Sequence, residues 1–336
     1  MGYILGISVT RPQKTLVLTK NGEVVRCLQD EVSPLESDDP LPAHLIHRLL
    51  DSTGVAASAI KKVHICSPWR SPENSTVDQD QWLRPLKDWG RKIHQDWVFG
   101  SEIREEIEEL LGEGAEVTLV DEDLSRTLYA QPRCFFKEGV VLNLHSQWSN
   151  KATSLWQLRP KQLIPLKVLE KEKSIEGFVS QVAEFCGFAQ EKNLSRFLTL
   201  APMGEPSQLE VFKDELWQKV SQEHLFESLK KLFGIPRSLE APVTLREIDM
   251  ASTAQALIQL HAENLARFMD STIGAVQPLL ITSETSFGSF LKGEFAKLRP
   301  RRECQWLQVE EGYAEAMGCA TSVDSSINLA NLQNPY

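Results

Sequence analysis

The sequence predicts an α/β protein in which one folding unit occurs twice along the chain. The order of the predicted elements indicates this, because the first 120 residues read as three strands, helix, strand, helix and strand. A new set of three strands then begins at Gly139. Long segments with helical periodicity follow in the second copy, so we expect the two copies to differ in size but to share their strand order.

In the first copy, short apolar runs alternate with turn and helix signals. Asn21-Gly22 separates the second and third runs and favours a two-residue hairpin turn. Leu45, Ile46 and Leu49 recur at the three- and four-residue spacing of an amphipathic helix. The predicted elements are strands Tyr3–Val9, Thr15–Lys20 and Val24–Leu28, helix Pro42–Leu50, strand Lys62–Cys66, helix Glu102–Leu111 and strand Glu116–Val120.

The second copy repeats the three opening strands and then becomes richer in helices. Its predicted elements are strands Gly139–Leu144, Ala152–Leu158 and Gln162–Val168, helices Ile175–Phe185, Gln208–Val220, Glu223–Phe233 and Leu245–Thr272, strand Pro278–Ile281, helix Phe287–Leu298, strand Cys304–Val309 and helix Tyr313–Ser322. A duplicated ribonuclease-H-like unit with helical insertions in its second half is the architecture of actin-like ATPases and sugar kinases. We therefore expect a first subdomain at 1–135 with a tryptophan-rich insertion at 67–99, a second at 136–325, and a flexible tail at 326–336.

The composition excludes several classes of function. The chain has 336 residues with 36 Lys or Arg and 46 Asp or Glu, and its net charge of −10 opposes binding to nucleic-acid phosphates. No run approaches the roughly 18 apolar residues of a membrane span, and no secretory signal is visible, so we expect a cytoplasmic protein. The six cysteines are scattered without a Cys-x-x-Cys pair, which predicts reduced thiols rather than a disulfide or zinc framework.

One segment resembles a known family. Glu184–Phe188 together with Leu198–Pro206 is similar to a Gly-Leu-Ala-Pro-Tyr-Gly-Glu-Pro stretch of the O-carbamoyltransferases of nodulation-factor and antibiotic biosynthesis. Shorter similarities in that family's order are Ile4–Ser8, Asp30-Glu31 with Pro42-Ala43, Val120-Asp121 and Met317–Ala320. The resemblance implies an actin-like domain, similar to that of the tRNA threonylcarbamoyl-transfer proteins, which holds a divalent metal and a nucleotide.

The metal ligands of that family are two histidines four residues apart on one helix face. At the matching positions this chain has Glu122 and Arg126. A guanidinium stays protonated and cannot ligate a cation. We therefore expect no metal site, and we expect Glu122 and Arg126 to form an ordinary ion pair one helical turn apart.

Four further motifs of the family have lost their chemistry in this chain. The loop Thr10–Lys14 has no carboxylate where the family supplies an acid, and His145–Ser149 replaces a glycine-rich turn that admits phosphate. Thr282–Ser286 replaces the loop that cradles phosphate with backbone N–H groups, and Glu284 would face the phosphates. Glu310–Gly312 takes the place of a metal-binding Asp-x-Gly motif.

Two sets of candidate residues follow from the resemblance. The vestigial catalytic positions are His145, Glu122 and Arg126, and the nucleotide-binding positions are Gly6, Ser8, Ser283, Glu284 and Gly312. His44 and His47 lie three residues apart but have no third ligand nearby in sequence, so solvent-facing side chains are favoured over a metal pair. The tryptophan-rich insertion is either packed on the body of the protein or a partner-binding patch.

Two hypotheses about function remain. The first is a catalytically inactive member of the carbamoyltransferase family that acts as a binding or scaffold subunit, without a cofactor, nucleic acid or membrane. Its partner would be a protein, in a homodimer or in a heterodimer with an active paralogue. The second is an active carbamoyl transferase or ATPase in which Glu122, Glu310 and Glu311 bind Mg²⁺ together with ATP. The two differ in whether these carboxylates converge on one cleft.

Overall fold

The computed structural model describes residues 2–9, 13–31, 43–67, 104–112, 114–145, 151–160, 162–170, 174–188, 191–310 and 312–321. The tryptophan-rich insertion, apart from its first residue, and the predicted tail lie outside these residues. The chain forms two compact units. Unit 1 comprises Met1–Phe135, Lys161–Leu163 and Val309–Tyr336, and unit 2 comprises Phe136–Pro160 and Ile164–Gln308.

Unit 1 contains a five-stranded mixed sheet with the strand order β3-β2-β1-β4-β5. Its strands are β1 (Tyr3–Ser8), β2 (Gln13–Lys20), β3 (Glu23–Glu31), β4 (Ile60–Ser67) and β5 (Glu116–Asp121), and its helices are α1 (Ala43–Thr53), α2 (104–111), α3 (Glu122–Ala130) and α9 (Tyr313–Thr321). Strands β1, β4 and β5 are parallel, whereas β2 is antiparallel to both of its neighbours. Asn21 and Gly22 have φ of 55° and 81°, which are the left-handed values of the predicted hairpin turn.

Unit 2 contains a second five-stranded sheet with the order β10-β9-β6-β7-β8. Its strands are β6 (Gly139–Leu144), β7 (Lys151–Arg159), β8 (Gln162–Glu170), β9 (Leu279–Ser283) and β10 (Cys304–Gln308), and its helices are α4 (Ile175–Phe185), α5 (Glu191–Thr199), α6 (Gln222–Phe233), α7 (Leu245–Ile273) and α8 (Phe287–Leu298). Read from its other edge, this order matches that of unit 1 strand for strand. The predicted duplication of one α/β unit is therefore confirmed.

The alternation of side chains along β1 and β4 separates two layers in unit 1. Leu5, Ile7, Val63 and Ile65 point into an apolar core under α1 and α2. The intervening positions face α9 instead. Helix α9 thus lies on the opposite side of the sheet. The small residues of α9 pack on unit 1, so this helix belongs to unit 1, although it lies within the range 136–325 predicted for the second subdomain.

Two glycines allow α9 to approach its neighbours at backbone distance. A Cβ atom at Gly318 would lie 1.7 Å from the carbonyl oxygen of Ser125 in α3, and a Cβ at Gly6 would lie 2.1 Å from that of Ala316. The Thr19 hydroxyl of β2 also donates to the Ala320 carbonyl at 3.3 Å. A larger side chain at Gly318 would push α9 away from α3, and one at Gly6 would push α9 away from β1.

Two helices were missed by periodicity, and one predicted helix has a different geometry. All nine residues of α3 are buried, so its polar residues hide the amphipathic pattern that reveals a surface helix. Within the predicted helix Gln208–Val220, residues Val211–Trp217 are π-helical. The wider turn brings Phe212 and Trp217, five residues apart, edge-on to Phe178 at 5.7 and 5.6 Å. Helix α5 is the second element that was missed.

The longest helix, α7, has 29 residues and well-defined ends. Thr244 and Glu247 form a capping box at its start, where the Thr244 N–H donates to the Glu247 carboxylate at 2.9 Å. Gly274 ends it with a φ of 97°. Among the described residues, no helix, α7 included, combines the length and hydropathy that a membrane span requires.

His261 of α7 is packed edge-on against the Trp217 ring, with the ring centroids 5.8 Å apart. Burial, together with the positive charge of Lys167, lowers the pKa of His261 to about 4. Its buried Nε2 has no hydrogen-bond partner among the described residues. The folded protein therefore holds this imidazole in its neutral form.

We predict that Gly318→Ala destabilises unit 1 by about 3 kcal/mol or more, because the added methyl group collides with a backbone carbonyl that cannot rotate away. Gly293→Ala is the matched control, since Gly293 lies inside α8 with no atom within 4 Å of its would-be Cβ. Alanine should stabilise that helix by about 0.5–1 kcal/mol. Chemical denaturation of both variants measures the difference, and equal midpoints would contradict the close approach of α9 and α3.

We predict that the free energy of unfolding falls by up to about 3 kcal/mol between pH 6.5 and pH 4 on account of His261. The unfolded chain takes up a proton on this residue near pH 6.5, whereas the folded chain does so only near pH 4. His261→Phe should flatten this part of the pH profile, and the exposed His224→Phe should not. A His261→Phe profile with the slope of the parent would contradict the assignment.

Candidate functional site

The candidate site of unit 1 is built on the junction of β5 and α3. Asp121 ends the strand and caps the helix, accepting hydrogen bonds from the Asp123 and Leu124 amides at 2.9 and 3.3 Å. Glu122 and Asp123 follow in the first turn, where carboxylates interact favourably with the helix dipole. This cap fixes the register of α3 and places Glu122 and Arg126 one turn apart on the buried helix.

Arg126 makes a buried ion pair with Glu315 of α9. The Arg126 Nε donates to Glu315 Oε1 at 2.8 Å, and the Nη2 atom donates to the same oxygen. The side chains are 1% and 0% exposed. The facing helix thus supplies a counter-charge for Arg126 that lies 189 residues away in sequence. The expected pairing of Arg126 with Glu122, one helical turn away, stays a prediction.

Beside this ion pair lies a layer of polar groups between β4 and α9. His64 Nδ1 donates to the Cys319 carbonyl at 2.8 Å, and burial lowers the pKa of His64. The Cys66 and Cys319 thiols are hydrogen-bonded to each other, and the Ser125 hydroxyl lies 3.1 Å from the Cys319 sulfur. The bond to Cys319 and burial both raise the pKa of Cys66. These groups are therefore neutral, and the six cysteines are all free thiols, as expected.

No group of three or more His, Cys, Asp or Glu side chains that could hold a metal ion exists in the part of the chain that the structure describes. His44 and His47 of α1 are both exposed. Glu122 is buried in α3, whereas Glu310 is exposed after β10. Glu311 lies outside the described residues. The two described carboxylates thus differ in burial, and whether they converge on one cleft stays a prediction.

In unit 2, a polar network occupies the centre of the sheet. Asn143 of β6 accepts a hydrogen bond from the Thr282 hydroxyl at 2.8 Å and donates to the Ser154 hydroxyl at 3.2 Å. His145 follows at the end of β6 and is 1% exposed. The rest of the loop predicted to replace the glycine-rich turn, 146–149, lies outside the described residues, as do 10–12 of the first loop.

The loop between β9 and α8 is closed by its own side chains. The Ser283 hydroxyl accepts a hydrogen bond from the Thr285 amide at 3.2 Å, and the Thr285 hydroxyl accepts one from the Phe287 amide at 3.1 Å. Thr285 donates in turn to the Glu176 carboxylate at 2.6 Å. Two backbone amides of this loop are therefore satisfied internally, and two carboxylates, Glu176 and Glu284, lie beside it.

A groove of about 340 Å³ lies next to this loop, between α5 and α8. Its lining residues are Leu194, Ser195, Leu198, Thr199, Ser286, Phe287, Ser289 and Phe290. None of the described residues that line it is charged, so this lining suits an apolar or uncharged polar group and offers no cation to a phosphate.

The remaining residues implied by the resemblance have structural contacts of their own. Helix α9 occupies the space that a side chain at Gly6 of β1 would take, and Ser8 is buried at the end of the same strand. Gly312, with a φ of 75°, is buried directly before α9 and needs the conformational freedom of glycine. Ser283 and Glu284 belong to the closed loop of unit 2. Whether these residues contact a nucleotide stays a prediction.

Comparison with solved structures settles the fold class. The activator of 2-hydroxyisocaproyl-CoA dehydratase from Clostridium difficile, solved with bound ADPNP, aligns over 99% of this chain and 98% of its own, with a TM-score of 0.51 and 10% identity. A ROK hexokinase from Thermus thermophilus aligns over 95% and 97%, with a TM-score of 0.50 and 12% identity. The fold is that of actin-like ATPases and sugar kinases. At this identity the similarity shows the fold alone.

Sequence comparison gives a distant relative. The uncharacterized protein sll1178 of Synechocystis sp. is 22% identical over 358 aligned positions, which cover 96% of this chain and 57% of that protein. The chain thus spans little more than half the length of this relative. No family model matches the chain, so the resemblance to the O-carbamoyltransferases stays a prediction.

Sequence reasoning missed Glu315, His64 and the Cys66–Cys319 contact. One signal for Glu315 was present. It is the sole charged residue of α9, a helix of otherwise small or apolar residues apart from Tyr313 and Thr321. A carboxylate in such a helix needs a buried counter-charge, and the arginine on α3 provides it.

We predict that Arg126→Ala and Glu315→Ala each destabilise the protein by about 3–5 kcal/mol, because each leaves the other charge buried without its counter-ion. The double replacement Arg126→Met with Glu315→Leu should cost much less than the sum of the two single changes. Lys219→Ala, which removes an exposed ion pair to Glu215, is the control and should change stability by about 0.5 kcal/mol or less. Urea denaturation measures all four, and additive single and double variants would contradict the pairing.

Proposed function

We propose that this chain is a binding or scaffold subunit built on the actin-like fold, and not an active carbamoyl transferase. The observation that carries the proposal is the buried ion pair of Arg126 and Glu315. By resemblance, Arg126 occupies one of the two histidine positions that hold the divalent metal in the O-carbamoyltransferases. A permanent organic cation therefore stands where that family binds a metal ion.

The electrostatics of this position oppose a metal. The guanidinium keeps its charge at every accessible pH and is held next to α9, so it would repel a divalent cation. The carboxylate on the facing helix, Glu315, is already bonded through Oε1 to two nitrogens of Arg126. Burial lowers the pKa of the neighbouring His64, and the hydrogen bond to Cys319 together with burial raises the pKa of Cys66, so both groups are neutral.

The loop of unit 2 supports the same proposal independently. Phosphate-binding loops present free amides and glycines, because the anion is held by backbone N–H groups. Here Ser283 and Thr285 satisfy two of these amides, and Glu176 and Glu284 add negative charge. The activator from Clostridium difficile was solved with bound ADPNP, so nucleotide binding is the alternative against which the proposal is tested.

We predict that Mg·ATP at concentrations up to about 5 mM leaves the unfolding temperature of the protein unchanged. A bound nucleotide at 100 times its Kd would stabilise the native state by about 2.7 kcal/mol. For a chain of this length, that corresponds to a rise of about 4 °C. Differential scanning fluorimetry with Mg·ATP, Mg²⁺ alone and Mn²⁺ alone provides the measurement.

A sugar kinase of the same fold is the positive control, because its melting temperature must rise under the same conditions. Arg126→Lys provides an internal control, since it keeps the positive charge but loses the planar contact to Glu315. Its response to nucleotide should equal that of the parent. A saturable rise in the parent would overturn the proposal and favour the rewired site at Glu122 and Glu310.

A further inference from the structure

Six apolar side chains of unit 2 are exposed around the first turn of α7. Their exposed fractions are 84% for Ile235, 68% for Leu239, 67% for Leu245, 63% for Met203, 49% for Leu232 and 40% for Val243. Large aliphatic residues with such exposure usually occur singly on a protein surface. We call this group the α7 patch.

Hydrogen bonds and packing bring the members of the α7 patch together. The Arg246 guanidinium on the first turn of α7 donates to the carbonyls of Phe233 and Ile235 at 3.1 and 3.0 Å. Leu245 directly precedes Arg246 and therefore lies one residue from the side chain that binds the segment 233–235 to α7. On the other side, Gly204 packs against Ile248 so closely that a Cβ would lie 2.6 Å from the Ile248 carbonyl oxygen, which places Met203 beside the same turn.

The segment that carries Leu239 and Val243 is fixed to the body of unit 2. The Arg237 guanidinium donates to the Cys186 carbonyl at 2.6 Å and to the Gly187 carbonyl at 3.2 Å, and it also bonds to the carbonyl of Ala241. Its cation lies over the Phe188 ring at 5.1 Å. The apolar side chains are therefore displayed by a structured segment, which reduces the entropy lost when they become buried against another surface.

The area of the α7 patch matches the apolar centre of a protein interface. At about 30 Å² of accessible surface for each aliphatic carbon, its exposed side chains present roughly 500 Å². Patches of this size on monomers often mark interaction sites. A standard interface buries roughly 800 Å² on each partner, with a polar rim around an apolar centre, so the α7 patch and its surroundings suffice for one.

Charges of both signs lie around the α7 patch, and two of its cations have an ion-pair partner within the chain. Arg246 pairs with Glu247 at 2.6 Å, and Lys230 at the end of α6 pairs with Glu227 at 2.7 Å. A surface of this kind does not repel its own copy, although the net charge of −10 makes most other surfaces do so. A twofold arrangement would bring the apolar centre of one copy onto that of the other.

We propose that the α7 patch is the interface through which two copies of this chain form a symmetric dimer. The proposal deepens the scaffold role by naming its partner, and it rests on that role for its biological meaning. The dimer itself is measured without nucleotide or metal, so the two proposals can fail separately.

The test is the oligomeric state of the full chain, measured by sedimentation velocity between 1 and 100 µM. The parent protein should be a dimer, and Leu245→Asp should weaken the dimer at least 100-fold. Aspartate is well tolerated at the first position of a helix, where it meets the positive end of the dipole, so this variant should fold. Ile235→Asp, in the connection between α6 and α7, is a second disrupting variant.

Val276→Asp is the matched control. Val276 is 66% exposed, like Leu245, but it follows the other end of the 29-residue α7, about 43 Å away along the helix axis. This variant should remain dimeric, and circular dichroism should show native helix content in all variants. The proposal is overturned if the parent is monomeric at 100 µM, as it would be if the α7 patch bound a different protein instead of a second copy. It is also overturned if both patch variants remain dimeric. A dimer that also responds to Mg·ATP would overturn the scaffold role and leave the interface standing.

Discussion

The organisation of unit 1 depends on the buried ion pair between Arg126 and Glu315. Neither charge is tolerable inside a protein without its partner, so the pair requires α3 and α9 to lie side by side. The backbone of α9 then approaches close enough that Gly318 and Gly6 have no room for a side chain. The same approach places the Cys319 carbonyl on His64 and its thiol beside Cys66. One electrostatic requirement thus explains the packing of α9, the glycines in its contacts and the neutrality of the groups around it.

Unit 2 has the same strand order as unit 1, but different contacts stabilise it. Its polar network and its β9–α8 loop are satisfied by neighbouring side chains, and the long helices that follow β8 build a second layer with its own apolar core. The additional helices also carry the exposed α7 patch. Arg237 and Arg246 fix the connection between α6 and α7, and the aliphatic side chains of this connection are exposed. In both units, described residues at positions that the resemblance predicts to serve chemistry, such as Arg126 and Ser283, make contacts within the protein.

Much of the fold follows from local sequence signals. The Asn21-Gly22 turn and the alternating strands of both copies are visible in short windows of residues, and the structure contains them. Helix α3 was not visible in this way, because buried polar residues do not give an amphipathic pattern. The π-helical turn at Val211–Trp217 was also missed, since it is coupled to contacts of Phe212 and Trp217 with Phe178, a residue of another helix.

The sequence by itself determined the α/β class, the duplication and the presence of an arginine where the resembled family has a metal ligand. Only the tertiary structure decided what that arginine does. Its partner Glu315 is 189 residues away, on a helix that begins far beyond the second copy's insertions yet packs in unit 1. Local patterns report on neighbours within a few residues, whereas the pairing of buried charges is decided by which elements meet in the folded chain. For the same reason, the exposed surface around α7 became visible only once the helices and their connecting segments were in place.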